Sequence, residues 1–147
     1  MKIFLGADHG GFQLKKEIFA FLKTEFPDAE IVDLGTDDEK SVDYPAFGAA
    51  VATKVVENPK SLGVIFCGTG IGISIAANKI AGARAALCEN STAARLARQH
   101  NDANILALGG RMIGGELARD IVKTFFKSEF EGGRHARRVG QISDLEK

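Results

Sequence analysis

Cys67-Gly68-Thr69-Gly70-Ile71-Gly72 is the segment whose residue types and spacing speak most directly of chemistry. Glycines at alternate positions let a backbone pass close to a ligand. If a helix follows, its first N–H groups and positive dipole end point at that ligand, which suits a phosphate or an oxyanion formed during reaction. The segment is not a Walker A loop, because no Gly-Lys-Ser/Thr follows. It is not the dinucleotide fingerprint either, because Ile73 stands where the third glycine belongs. Two readings stand for Cys67. Beside a helix start it can react as a thiolate, as nucleophile or base. At the end of an apolar run it can equally be a small core residue. Cys88 has no such loop and reads as core.

Four further places carry candidate groups. Asp8-His9 precedes Gly10-Gly11, and could hold a sugar hydroxyl and an anion, or could be a surface turn. His100-Asn101 stands at the end of a helical pattern, where a histidine by itself reads as a cation on the dipole. Arg111 follows Gly109-Gly110. Arg134 and Arg138 are four apart and share a face if the segment is helical. Two guanidinium forks on one face suit a phosphate monoester, and the alternative is a solvated basic end.

These groups need elements to position them. Short apolar runs at Ile3 to Ala7, Ile31 to Gly35, Leu62 to Cys67, Ala83 to Cys88 and Ile105 to Leu108 read as strands buried on both faces. Between them lie helical patterns. Leu14, Ile18, Phe21 and Leu22 mark the first, with Lys15, Lys16 and Glu17 between as polar positions. Pro45 opens the second, and Asn58-Pro59 stops it. The third runs from Ile73 to Lys79. The fourth is capped by Asn90 or Ser91 and ends near His100, and the fifth carries Leu117, Ile121 and Phe125 before Gly132-Gly133. Strand and helix alternate five times, which predicts a Rossmann-like three-layer α/β/α sandwich on a five-stranded parallel sheet. A polar tail follows, with Val139, Ile142 and Leu145 along one side, as a C-terminal helix would have them. In such sheets ligands bind outside the carboxyl ends of the strands, where the glycine-rich and titratable residues stand.

Composition narrows the function classes. The chain has 147 residues and is read as one domain, 1–147. Lys+Arg 19 balances Asp+Glu 19, which argues against a general nucleic-acid binder. Two cysteines are too few for a disulfide scaffold and point to a reducing compartment. No apolar run reaches the roughly 20 residues of a membrane span. The N-terminus turns acidic at Asp8, too soon for a signal peptide, so a cytoplasmic location is expected.

Taken together, Gly6-Ala7-Asp8-His9-Gly10-Gly11, Asp43-Tyr44-Pro45, Cys67 through Lys79, Arg98-Gln99-His100-Asn101-Asp102 and Glu131-Gly132-Gly133-Arg134-His135 resemble the type B ribose-5-phosphate isomerases. The resemblance covers Met1 to about Ile142, and its motifs are specific jointly. It implies interconversion of an aldose phosphate and a ketose phosphate through an enediolate, without metal or organic cofactor. It implies a base at Cys67, and ring opening by His100 with help from Thr69. One branch of the family uses a glutamate at the place of Ile73 instead; Ile73 and Cys67 put this chain in the cysteine branch. Amides of Gly68, Thr69, Gly70, Ile71 and Gly72 would hold the oxyanion. Asp8, His9, Asn101 and Arg111 match substrate-binding positions, Tyr44 lines the pocket, and Arg134 and Arg138 match a phosphate clamp. The implied strand order is 2-1-3-5-4. Galactose-6-phosphate and allose-6-phosphate isomerases share these residue types and remain alternatives. A non-catalytic phosphate- or nucleotide-binding module is a more remote one.

The resemblance also implies an assembly. A helix that starts near Glu89 and runs about ten residues ends roughly 15 Å from the crevice edge. His100 then lies at the wrong end of its own subunit to meet Cys67. A homodimer with sites shared across a two-fold axis, or a tetramer built from it, removes the conflict. Which chain supplies Arg134 and Arg138 stays open.

Overall fold

The computed structural model describes residues 1–146. In chain order it contains β1 (Lys2–Ala7), α1 (Phe12–Glu25), β2 (Glu30–Asp33), α2 (Tyr44–Glu57), β3 (Leu62–Cys67) and α3 (Ile71–Ala77). These are followed by β4 (Ala85–Leu87), α4 (Ser91–Asn101), β5 (Ile105–Gly109), α5 (Gly115–Lys127) and α6 (Arg134–Asp144). The five strands form one parallel sheet in the order β2-β1-β3-β5-β4. That is the expected order and the expected α/β architecture.

The absence of alternation in the strands has a direct cause. Side chains alternate between two apolar layers rather than between core and water. Ile3, Leu5 and Ala7 of β1, with Val64 and Phe66 of β3, face the layer that holds Leu14, Ile18 and Leu22 of α1 and Ile121, Val122 and Phe125 of α5. Phe4, Ile65 and Cys67 face the other layer, with Val51, Ala52 and Val55 of α2 and Ile73 and Ala77 of α3. Both faces are therefore closed, and chemistry is left to the strand ends. Among the described residues no helix is long and apolar enough to cross a membrane.

Apart from the bounds of β2, which spans Glu30–Asp33 instead of Ile31 to Gly35, the structure differs from expectation at three places, each for a physical reason. β4 spans Ala85–Leu87 instead of Ala83 to Cys88. At its start, side-chain amides replace the ladder. Arg84 N donates to Asn104 Oδ1 at 2.8 Å, and Ala85 N donates to Asn78 Oδ1 at 2.8 Å. At its end, Cys88 N reaches Ala107 O only at 3.4 Å. α3 begins at Ile71, two residues before Ile73. Gly70 takes a left-handed φ of +78°, which turns the chain into the helix at once, and Thr69 Oγ1 accepts the Ile71 N–H at 3.2 Å. Gly70 is glycine because an L side chain is disfavoured at that φ.

Lys15 is the third difference. It is not a solvated position of α1 but 1% exposed. Its Nζ donates to Asp33 Oδ1 at 2.7 Å and to Thr36 O at 2.6 Å. Asp33 Oδ1 also accepts Gly35 N at 2.9 Å. The ammonium thus ties α1 to the segment after β2. That segment in turn bonds the end of β1 through Ala7 N to Gly35 O at 2.6 Å and Thr36 N to Ala7 O at 2.7 Å.

A buried charge left without its partner costs more than a pair removed from the cationic side. Asp33→Ala should destabilise the protein by about 2–3 kcal/mol, somewhat below the ~3–5 kcal/mol of a fully buried broken pair because Asp33 is partly exposed. Lys15→Met, which removes the buried ammonium and keeps an apolar stem, should cost clearly less. Urea denaturation of the two variants gives the ranking, and the opposite order would contradict the argument.

Candidate active site

Three strand ends meet at one edge of the sheet. Cys67 of β3 pairs with Gly109 of β5, and Phe66 of β3 pairs with Ala7 of β1. The loops that follow are in backbone contact. A Cβ placed on Gly10 would stand 3.0 Å from Gly68 N, and one on Gly109 would stand 2.6 Å from Thr69 O. Gly110 N donates to Cys67 O at 2.8 Å, and Arg111 N donates to Gly68 O at 2.9 Å. This mutual packing brings Asp8, His9, Cys67, Gly68, Thr69 and Arg111 to one place.

Each side chain there has a defined hold. Cys67 is buried on the α2/α3 side of the sheet, and its Sγ accepts Gly70 N–H at 3.0 Å. Asp8 is buried, and its Oδ1 accepts Gly11 N–H at 3.1 Å. His9 Nδ1 accepts Val42 N–H at 3.2 Å, so the neutral ring carries its proton on Nε2. Arg111 lies over Gly68, with Nη1 at 3.1 Å from where a Cβ would be. The Tyr44 ring lies against Gly72, in the space a side chain there would need. Ile71 is exposed, and Gly72 follows it in the first turn of α3, where amide donors lack intrahelical acceptors. The arrangement can hold an anion beside a sulfur and between an aspartate and an arginine. Among the described residues no three His, Cys, Asp or Glu side chains cluster as a metal set.

His100, Asn101, Arg134 and Arg138 lie elsewhere. α4 begins beyond the carboxyl end of β4, where Asn90 Oδ1 accepts Ala93 N–H at 2.8 Å, and runs back along the sheet. Its end is fixed at the amino edge. Asn101 O accepts Arg84 Nε–H at 3.1 Å just before β4, and Asp102 pairs with both Arg84 and Arg98 at 3.2 and 3.0 Å. Asn104 O accepts Gly63 N–H at 2.9 Å at the start of β3. Four residues of strand, about 13 Å, separate Gly63 from Cys67. A cavity of about 580 Å³ opens at this edge, lined by Asn78, Arg84, Asn101, Ile142 and Leu145 among others. α6 docks on the end of α4, because His135 stacks on His100 and Glu131 N donates to Gln99 O at 3.0 Å. Arg134 and Arg138 are exposed on α6. The sequence thus supplies two sets of polar residues, and one chain holds them at opposite edges of its sheet.

Three residues near these sets carry contacts that spacing did not reveal: Lys15, Glu131 and His135. His135 is the buried member of α6. Burial, helped by His100 and Arg134, holds its imidazole below the usual histidine range. Its neighbour Arg134 drew attention by charge, whereas a histidine one position on gave no periodic signal.

Both cysteines are buried, and they differ in what holds the sulfur: Cys67 Sγ accepts the Gly70 N–H, whereas Cys88 Sγ lies in the α1/α5 layer with only Ala86 O at 3.8 Å. Burial pushes the Cys88 thiol up to about 11. At pH 8 its thiolate fraction is then roughly one in a thousand. Iodoacetamide at that pH should label Cys67 ahead of Cys88 in peptide mapping by mass spectrometry. Faster labelling of Cys88 would contradict the burial argument.

Comparison with known proteins agrees over the whole length. The family model described as Ribose/Galactose Isomerase matches residues 3–142. Ribose-5-phosphate isomerase B of Escherichia coli is 47% identical over 145 residues, covering 99% of this chain and 96% of that protein. The solved structure of Clostridium thermocellum ribose-5-phosphate isomerase B is 56% identical and superposes with a TM-score of 0.94, covering 99% of this chain and 97% of the other. That of the Mycoplasma genitalium enzyme, which holds ribulose 5-phosphate, is 45% identical with a TM-score of 0.94, covering 99% and 95%. With the strand order, the glycine loop after Cys67 and a match from residue 3 to residue 142, this chain belongs to the ribose/galactose isomerase family.

Proposed function

We propose that the protein interconverts ribose 5-phosphate and ribulose 5-phosphate, with Cys67 as the proton-transfer base. The observation that carries this reading is the seat of Cys67. Its sulfur stands at a strand end, under a glycine loop, with Asp8 and Arg111 packed around the same backbone. The relative that holds ribulose 5-phosphate supports the substrate class.

The chemistry assigns a task to each group. The aldose phosphate is mostly a furanose, so the C1 hydroxyl must lose a proton while the ring oxygen gains one. His100, with Thr69 beside the sugar, carries that step. Cys67 as thiolate then takes the proton from C2, and the electron pair forms the enediolate. The loop amides of Gly68, Thr69 and Gly72, together with Arg111, stabilise the developing oxyanion, the Gly70 and Ile71 N–H groups being taken by Cys67 Sγ and Thr69 Oγ1. The proton returns to C1 while the O2 proton passes to O1, so that C2 becomes the carbonyl and C1 the hydroxymethyl of the ketose. Asp8 and Asn101 hold hydroxyls, His9 offers its Nε2 proton, and Tyr44 bounds the pocket at Gly72. Arg134 and Arg138 clamp the phosphate.

His100 and Cys67 belong to opposite edges of one chain, so the complete site is made by two. An isologous pair that sets the amino edge of one subunit against the carboxyl edge of its partner completes two equivalent sites. The smallest active unit is then a homodimer.

A coupled assay with ribose 5-phosphate tests the reaction, and turnover confined to six-carbon phosphates would overturn it. Cys67→Ala should lower turnover by about 10²–10⁴-fold, the span of a lost general base, while a phosphosugar still binds. Arg134→Ala should weaken binding of the phosphosugar by roughly 1.5–3 kcal/mol and leave the free sugar unaffected. Equal weakening of both would remove the phosphate assignment. Inactive Cys67→Ala and His100→Ala chains, mixed and allowed to exchange, should regain about a quarter of wild-type activity, because half the dimers are hybrids with one intact site each. No recovery on exchange would exclude a shared site.

A further inference from the structure

α6 is a charged helix that exposes nearly all of its side chains, and the one it buries is a histidine. The His135 ring lies flat on the His100 ring, with centroids 4.3 Å apart and planes 8° from parallel. Glu131 faces the same imidazole, with Oε1 3.9 Å from His100 Nε2. Two backbone bonds fix this arrangement: Glu131 N to Gln99 O at 3.0 Å, and His135 N to Gly132 O at 3.1 Å. His100 itself stands in the last turn of α4 with its side chain 39% exposed, where an unsupported imidazole would sample several rotamers.

Proton transfer demands more order than that. A misaligned acid or base loses most of its effect, and useful sites lock such groups by packing from behind. We propose that His135 is a positioning residue for ring opening: its stacked ring holds the His100 imidazole in the one orientation that serves the sugar ring. The inference rests on the reading of His100 given above. Burial, His100, Arg134 and Arg138 all disfavour the charged form of His135, with Glu131 opposing them. The ring beneath His100 is therefore held toward its uncharged form.

The chemistry of the two substrates isolates this step. Ribulose 5-phosphate carries its phosphate on the C5 oxygen, so its C2 ketone cannot close a furanose ring and the molecule stays open. Solvent deuterium entering its C1 in D₂O reports the proton transfer by Cys67 and requires no ring opening. Turnover of ribose 5-phosphate requires both. His135→Ala should lower kcat for ribose 5-phosphate by roughly tenfold or more, with KM little changed, because orientation is lost and binding is not. It should leave C1 exchange into ribulose 5-phosphate, followed by NMR, within about twofold of wild type. His135→Phe keeps a flat ring under His100 and should restore most of the turnover. Equal loss of turnover and exchange in His135→Ala would mean a merely structural role and would overturn the proposal. So would wild-type turnover in His135→Ala, or no rescue by His135→Phe. Failure of the underlying reading looks different: the unmodified protein would show neither turnover nor exchange, or His100→Ala would turn over normally.

Discussion

Backbone-to-backbone packing of the loops after β1, β3 and β5 is the constraint on which the site depends. These loops approach so closely that Gly10, Gly109 and Gly110 leave no room for side chains between them. The hydrogen bonds from Gly110 N to Cys67 O and from Arg111 N to Gly68 O continue the sheet beyond its last paired residues. Because the loops are locked to one another, the groups they carry are locked as well. Cys67 receives the Gly70 N–H, Asp8 receives the Gly11 N–H, and Arg111 is laid across Gly68. A bulkier residue at any of these joints would separate Cys67 from Asp8 and Arg111.

The sheet imposes a second consequence. With all strands parallel, every helix must run from the carboxyl edge to the amino edge, and its last turn ends far from where the next strand delivers its loop. His100 and Asn101 are last-turn residues, so they emerge at the amino edge however the rest of the core packs. The Asp102 pairs with Arg84 and Arg98 and the Asn101 bond to Arg84 hold them there firmly. A firmly built platform of polar groups on the far edge is of little use within one chain. Under the proposed reading, a two-fold partner would present it to a second crevice.

Support for the site reaches well behind the reacting atoms. Lys15 is buried so that its ammonium can gather Asp33 and Thr36 O, and that segment in turn bonds the end of β1 beside Asp8. Val42 N–H fixes the ring of His9 from the loop before α2. His135 and Glu131 surround His100 from α6 and the segment before it. None of these residues needs to touch a sugar. Each holds a neighbour that the proposed reaction assigns to the sugar.

The strand-and-helix alternation, the glycine loop after Cys67 and the spacing of Arg134 and Arg138 were legible in the residues themselves, because each reflects local rules: apolar runs, turn chemistry and helical period. Those rules also set the layers, since strands apolar at every position have to be covered on both faces. Local rules misjudged Lys15, β4 and α3. Lys15 has the look of a surface residue until Asp33 at the end of β2 and Thr36 just after it surround the ammonium. The start of β4 is replaced by side-chain bonds from Asn78 and Asn104, and α3 starts early because Gly70 turns left-handed. The stack of His135 on His100 joins residues 35 positions apart in the sequence. No periodicity within either helix encodes such a contact. Residue types and spacing decided which chemistry the chain carries. The tertiary structure alone decided which groups share an edge of the sheet, because contact across the fold depends on strand order and helix direction and not on distance along the chain.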